Sequence, residues 1–398
     1  MSPEFFLTDK IVLMSIYLDY NATTPADKEV VEAIQPFLNE YFGNPSSSHS
    51  YGAATKRAVE NARKQVAELI NCKPEEIIFT SGGTESNNLA IKGYAFANAT
   101  RGNHIITSAI EHPSVTEVCR YLEKKGFSVT YLPVNENGFV HPEQVEKAIT
   151  PQTILISVMH ANNEIGTIEP VSEIAAIAHT YNIAFHTDAA QSVGKVPIDV
   201  KEMGADMLSI AGHKFYATKG VGALYIRGGI ILEKLIHGAG HEQNKRAGTE
   251  NVPEIAGLGK ACEIARRDLA KNTLHMKRMR DLLYNLLLEK ITDIRLNGHP
   301  DLRLPNTLSL SFKGLEANIL LNEMELNGIA ASAGAACHTD SVDVSPVLTA
   351  IGLEIEFAMG TIRFSVGKYT TEDEIIKAVE IIGGIVDRLR PSTAAHSG

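Results

Sequence analysis

Short apolar, β-rich runs alternate with longer amphipathic runs through the first two thirds of the chain. Residues 77–80, 104–108, 128–132, 154–159, 184–187, 207–210 and 223–226 each read as a short buried strand. Between them, residues 85–97, 114–125, 142–149 and 172–181 carry helical spacing, with Ser114 and Ser172 as N-cap candidates. Strands alternating with helices predict βαβ units and a mostly parallel sheet. Near Gly257 the rhythm changes. A long charged helix over about 255–288 is followed by shorter patterned runs at 307–312, 317–327, 329–332, 345–351, 361–366 and 371–389. These predict a smaller α+β domain hinged on the long helix. The expected division is a large domain over 26–264 and a small domain built from 1–25 and 265–398.

Length and composition narrow the class. A chain of 398 residues with 44% apolar and 21% charged positions can bury a sizeable core, which excludes wholesale disorder. Lys and Arg total 37 against 47 Asp and Glu, a net charge of −10. That balance argues against direct nucleic-acid binding and against an anionic membrane surface. No run reaches the roughly 18 apolar residues of a membrane span. Glu4, Asp9 and Lys10 interrupt the N-terminal apolar run, which makes a poor signal peptide. The four cysteines, Cys72, Cys119, Cys262 and Cys337, form no CxxC pair and no metal-type spacing, so neither a disulfide scaffold nor a metal site is expected. Isolated thiols suit a reducing compartment, and the cytoplasm is the expected location.

Three strand ends carry candidate chemistry. Ser81-Gly82-Gly83-Thr84-Glu85 follows a strand and opens a helix. Its glycines admit close backbone approach, and the first N–H groups of the helix attract an anion such as a phosphate. The same pattern fits an ordinary turn capped by Thr84. Asp188 ends the run 184–187, where ligands of open α/β sheets sit, and an acid there can pair with a protonated ring nitrogen. A helix-capping Asp reads the same way. Lys214, in Ala211-Gly212-His213-Lys214-Phe215, lies just past the strand 207–210 and is a candidate Schiff-base amine, although most lone lysines are simply solvated. A phosphate cradle, an acid and a lysine at separate strand ends, in that order, are three recurring requirements of a pyridoxal phosphate site. His112, in Glu111-His112-Pro113, also follows a strand and could stack on a planar ring or serve as a loop histidine.

The chain resembles the cysteine desulfurase/selenocysteine lyase family of fold-type I pyridoxal-phosphate enzymes. The resemblance runs from Tyr17-Leu18-Asp19-Tyr20-Asn21-Ala22-Thr23-Thr24-Pro25 to Thr370-Thr371-Glu372-Asp373-Glu374. Between them lie Gly43-Asn44-Pro45-Ser46-Ser47, Thr84-Glu85-Ser86-Asn87-Asn88, Ala161-Asn162-Asn163-Glu164-Ile165-Gly166, Arg246-Ala247-Gly248-Thr249 and Leu304-Pro305-Asn306-Thr307. It implies an α/β fold, with a large domain around a mostly parallel seven-stranded sheet and a smaller α+β domain.

The resemblance also assigns roles. Lys214 would hold pyridoxal 5'-phosphate and move protons at the substrate α-carbon. Asp188 would keep the ring nitrogen protonated, His112 would stack on the ring and shuttle protons, and Gln191 would bond the ring 3-oxygen. Gly83, Thr84 and His213 would hold the phosphate, helped by Thr249 from the second subunit of a homodimer. Asn163 and Arg363 would bind the substrate carboxylate, a task suited to a planar guanidinium. For Arg363 a surface salt bridge is the other reading.

Cys337 stands apart from the other cysteines. Its stretch, Gly334-Ala335-Ala336-Cys337-His338-Thr339-Asp340, is small and polar and predicts an exposed mobile loop, with His338 beside the thiol. In the family the matching cysteine attacks the substrate sulfur. The implied reaction converts L-cysteine to L-alanine and leaves a persulfide for a sulfur-acceptor protein. Cys72 reads as structural, and Cys119 and Cys262 as helix positions. The sequence around Cys337 also resembles the selenocysteine lyase branch, for which L-selenocysteine is the substrate. Iron–sulfur assembly, tRNA thiolation, DNA phosphorothioation and selenium recycling are the candidate destinations. A sulfur-relay binding protein without chemistry is the third alternative, which the complete set of Lys214, Asp188 and His112 disfavours.

Overall fold

The structure is a computed structural model that describes residues 16–333 and 344–390. Twelve strands occur among these residues: β1 Ile16–Tyr17, β2 Ile77–Thr80, β3 His104–Ser108, β4 Ser128–Leu132, β5 Thr153–Ser157, β6 Ala184–Asp188, β7 Met207–Ala211, β8 Gly222–Ile226, β9 Ile294–Asn297, β10 Thr307–Phe312, β11 Ile329–Ala330 and β12 Thr361–Ser365. The large sheet has the order β2-β8-β7-β6-β5-β3-β4. Only β8 runs against its two neighbours; the other pairings are parallel. The mostly parallel seven-stranded sheet is therefore as expected. Six strands share one direction, so their carboxyl ends line one edge.

Both faces of this sheet are covered, which is why its strands read as unbroken apolar runs. On one face, Ile106, Ile156, Phe185 and Leu208 pack with Val59, Val66 and Leu258 of flanking helices. On the other, Ile105, Leu155 and Leu224 meet helices Gly83–Ala97 and Pro113–Glu123. The helix Val252–Lys290 runs 39 residues, about 58 Å at 1.5 Å per residue. Its first half enters the large core through Ile255, Leu258 and Cys262. Its second half packs Met276, Met279, Leu283 and Leu287 into a separate core with the antiparallel sheet β12-β10-β9. Ile16 and Leu18 join that second core. No helix among the described residues is long and apolar enough to cross a membrane.

Several local expectations are corrected. Helix Ser50–Ile70 was not foreseen. It buries Val59, Ala62, Val66 and Ile70 against the long helix, so close that a Cβ on Gly259 would lie 2.6 Å from the Ala62 Cα. Ser114 is not a cap: His112 occupies the cap, its ring accepting the Ser114 N–H, and Pro113 takes the first helical position. Ser172 lies inside helix Val171–Thr180, behind Pro170. Thr84 is likewise inside helix Gly83–Ala97, whose cap is Gly82.

One buried ion pair locks the edge of the large sheet. Arg63 Nη2 meets Glu242 Oε1 at 2.8 Å, and the Phe79 N–H on β2 donates to the same carboxylate at 2.8 Å. Both side chains are under 10% exposed. Removing one partner strands a buried charge, so Arg63→Ala should lose about 3–5 kcal/mol of stability. Denaturant unfolding checks this; a loss below about 1 kcal/mol, the range of surface pairs, contradicts it.

Candidate active site

The predicted residues meet at the carboxyl edge of the large sheet. They line a cavity of about 290 Å³ that includes Gly83, Thr84, His112, Asn163, Asp188, Gln191, His213, Lys214 and Arg363. Thr249 is exposed and does not line it. Cys337 lies outside the described residues.

Lys214 ends the single turn Gly212–Lys214 after β7. Its Nζ donates to the backbone oxygens of Asn21 (2.6 Å) and Ala22 (2.8 Å). Burial, and then the Arg363 charge, lower its pKa to about 8, against the opposing pull of Asp19 and Asp188. A lysine so placed offers free amine near neutral pH, which an exposed lysine does not.

Asp188 ends β6, with its carboxylate buried. Oδ1 accepts the Ala190 N–H at 2.9 Å, so the turn-forming role and the site role coincide. Oδ2 accepts from Asn87 Nδ2 at 2.7 Å. The other hydrogen of that amide goes to Ser114 Oγ (2.7 Å), and Ser114 Oγ lies 2.8 Å from His112 Nδ1. Because Nδ1 also accepts the Ser114 N–H, the network assigns His112 its proton at Nε2. Burial lowers the pKa of this ring; Asp188 opposes and Lys214 reinforces that shift.

The predicted phosphate cradle is a strand-to-helix turn. Gly82 adopts φ 151°, and β8 passes so near that a Cβ on Gly222 would lie 2.7 Å from the Gly82 Cα. The first N–H groups of helix Gly83–Ala97 have no intrahelical partner, and Gly83 and Thr84 line the cavity. His213 Nδ1 lies 3.2 Å from Thr23 Oγ1. Burial and then Lys214 push the His213 pKa down to about 4, so it acts there as a neutral ring.

Arg363 sits on β12 and is buried, which excludes a surface salt bridge. Nη2 pairs with Asp19 Oδ1 at 2.9 Å, and Nη1 donates to the Asn163 backbone oxygen at 3.1 Å. Its Nε is buried without a partner. The other three cysteines stand apart from the cavity, with Cys119 and Cys262 buried.

Sequence reasoning missed the hub of the site. Asn21 accepts from Lys214 and Gln191 at its backbone oxygen and from Lys195 and Asn306 at its side-chain oxygen. Its amide nitrogen donates to the Asn163 backbone oxygen and to Thr307 Oγ1. Asn21 and Asn87 stood inside matching stretches, yet nothing local marks either as a joint between distant strands.

The donors fit pyridoxal phosphate. A buried carboxylate, a lysine amine, a flat neutral ring and helix-start N–H groups share one cavity, each suited to a different part of that molecule.

Comparisons with known proteins agree. The aminotransferase class-V family matches residues 16–377. The chain is 52% identical over 375 residues to the cysteine desulfurase IscS of Dictyoglomus turgidum, covering 94% of this chain and 95% of that protein. It is 49% identical over 376 residues to the cysteine desulfurase IscS of Methanosarcina thermophila, covering 94% and 93%. A solved NifS-like protein superposes with a TM-score of 0.89 at 39% identity, over 94% of this chain and all of that one. A structure of SspA in complex with cysteine gives 0.79 at 39% identity, over 89% and 99%. With its fold-type I architecture and this cofactor site, the chain belongs to the aminotransferase class-V family and, within it, to the cysteine desulfurases.

Proposed function

We propose that this pyridoxal-phosphate-dependent cysteine desulfurase moves the sulfur of L-cysteine onto Cys337, with the cavity residues in the roles below. The observation that carries this is the convergence of Lys214, Asp188 and the start of helix Gly83–Ala97 on one cavity. When bound, the cofactor withdraws electrons from the substrate carbon skeleton. Asp188, held by Asn87 and the Ala190 N–H, would pair with the ring nitrogen. Gly83, Thr84 and His213 hold the phosphate, and Gln191 donates to the ring 3-oxygen. Lys214 holds the cofactor and carries protons at the substrate α-carbon, and His112 stacks on the ring. Arg363 and Asn163 receive the substrate carboxylate.

The sulfur step balances without an outside oxidant. The Cys337 thiolate forms the S–S bond, the substrate C–S bond breaks with its electrons to carbon, and a proton completes alanine. The described residue Ser332, close to Cys337 in sequence, supports this reading by its contacts at the site. Ser332, five residues earlier, donates to Asp19 Oδ2 at 2.9 Å and pairs with Arg363 through the backbone.

We further propose a cytoplasmic homodimer in which Thr249 reaches the neighbouring phosphate, and a sulfur-acceptor protein that discharges Cys337. The test is turnover. Purified protein given L-cysteine should form alanine and bound sulfur in equal amounts; alanine formed only from L-selenocysteine makes the chain a selenocysteine lyase and overturns this reading. Sedimentation checks the dimer, which a monomer holding full cofactor contradicts.

A further inference from the structure

The roles above leave one buried amine unused. Lys195, 4% exposed, lies in the turn that follows Asp188 and Gln191. Its Nζ donates to Gln191 Oε1 at 2.9 Å and to Asn21 Oδ1 at 3.2 Å. Both acceptors are neutral amides, and among the described residues no carboxylate pairs with it. Burial, then the Lys214 and Arg363 charges facing it, hold this amine well below the usual lysine range. The backbone here is tightly placed. Gly194 has φ +75°, and a Cβ on it would lie 2.8 Å from the Cβ of Phe215, the residue after Lys214. Thr273 Oγ1 on the long helix donates to the Lys195 backbone oxygen at 2.7 Å.

An apolar side chain of the same length would fill this space without desolvating an amine. Packing alone therefore does not account for a lysine. Its bonds do. The two ends of an amide have nearly the same shape, and only their partners decide which way each faces. The Lys195 amine donates in both of its side-chain contacts, and at Gln191 it takes the oxygen. The Gln191 nitrogen is then left toward the Asn21 backbone oxygen, 3.1 Å away, and toward the cavity that Gln191 lines. The same amine holds the Asn21 side chain, and the Asn21 carbonyl anchors Lys214.

We propose that Lys195 is a positioning residue that fixes Gln191 with its N–H side toward the cavity and steadies Asn21 beneath Lys214. The inference rests on Gln191 contacting the ring 3-oxygen of the cofactor. Without the Gln191 N–H, the proton shared at that oxygen is held more tightly, so the pH midpoint of the bound cofactor's visible absorbance should rise.

The experiment is a double-mutant cycle on that midpoint, using the cofactor-loaded protein, Lys195→Met, Gln191→Leu and the combination. Each single variant should raise the midpoint by about half a unit to one unit. The combination should move no further than Gln191→Leu alone. Cofactor-free Lys195→Met should melt no lower than the parent, since it removes a buried amine. A parental midpoint in Lys195→Met beside a shifted Gln191→Leu overturns the proposal, as do fully additive shifts. An unmoved midpoint in Gln191→Leu overturns both the ring contact and the proposal. Lys195→Leu replaces the methionine variant in the cycle if that variant does not fold.

Discussion

Lys214→Ala should abolish the visible absorbance of the bound cofactor and lower alanine formation from cysteine by ~10⁴-fold or more, the upper range for a lost acid–base group. Two properties meet in this side chain. Its Nζ is held by the Asn21 and Ala22 carbonyls, and among the described residues Lys214 is the one lysine that lines the cavity. Lys195 is the nearest candidate by burial, but its amine is engaged by Gln191 and Asn21. The second property is acidity. With a pKa of about 8, set mainly by burial and then by Arg363, about a tenth of the amine is free at pH 7, against well under a thousandth for an ordinary lysine. A lowered pKa means the free base accumulates as pH rises through about 8. Cofactor capture by the cofactor-free protein should therefore speed up about tenfold between pH 7 and pH 9 and then level off. Stopped-flow absorbance measures this. A band and turnover that survive in Lys214→Ala show that another amine holds the cofactor.

Cys337→Ala should remove cysteine turnover almost completely and leave no sulfur bound to the protein. The other thiols cannot take its place. Burial pushes Cys119 to about 12, and burial with the Glu76 charge pushes Cys72 to about 12. Burial also raises Cys262, which is fully enclosed in the large core. Only a thiolate attacks sulfur, and at pH 8 a thiol with a pKa near 12 is ionised in roughly one molecule in ten thousand. The variant with Cys72, Cys119 and Cys262 all replaced by alanine should accordingly keep its turnover, with some loss of stability from the emptied core positions. Mass spectrometry after exposure to cysteine locates the added sulfur. Sulfur found on a peptide other than that of Cys337, or full turnover in Cys337→Ala, refutes the assignment. A Cys337→Ala protein that still releases selenium from selenocysteine while failing on cysteine would separate the two chemistries in one molecule.

The sequence by itself determined the large sheet and the identity of its chemistry. Strands buried on both faces are rich in apolar residues, so Ile77–Thr80 and Met207–Ala211 stand out as nearly unbroken runs with sharp ends. Lys214, Asp188 and Gly83 were legible for a related reason. Each sits where a strand stops and a turn or helix begins, and in parallel sheets those stops share one edge. What the tertiary structure decided is how that edge is assembled. The antiparallel insertion of β8 between β2 and β7 has no local signature, since a buried strand reads the same in either direction. The cap of helix Pro113–Glu123 moved because His112 accepts the Ser114 N–H and Pro113 takes the first helical position, which leaves Ser114 inside the helix. Helix Ser50–Ile70 gains its partner only from a helix about 200 residues later. Asn21, Asn87 and Lys195 were silent for the deepest reason. Their roles lie in side-chain hydrogen bonds to residues as far as 286 positions away, as from Asn21 to Thr307. A polar side chain shows its type in the sequence, but its partners exist only once the chain has folded them together.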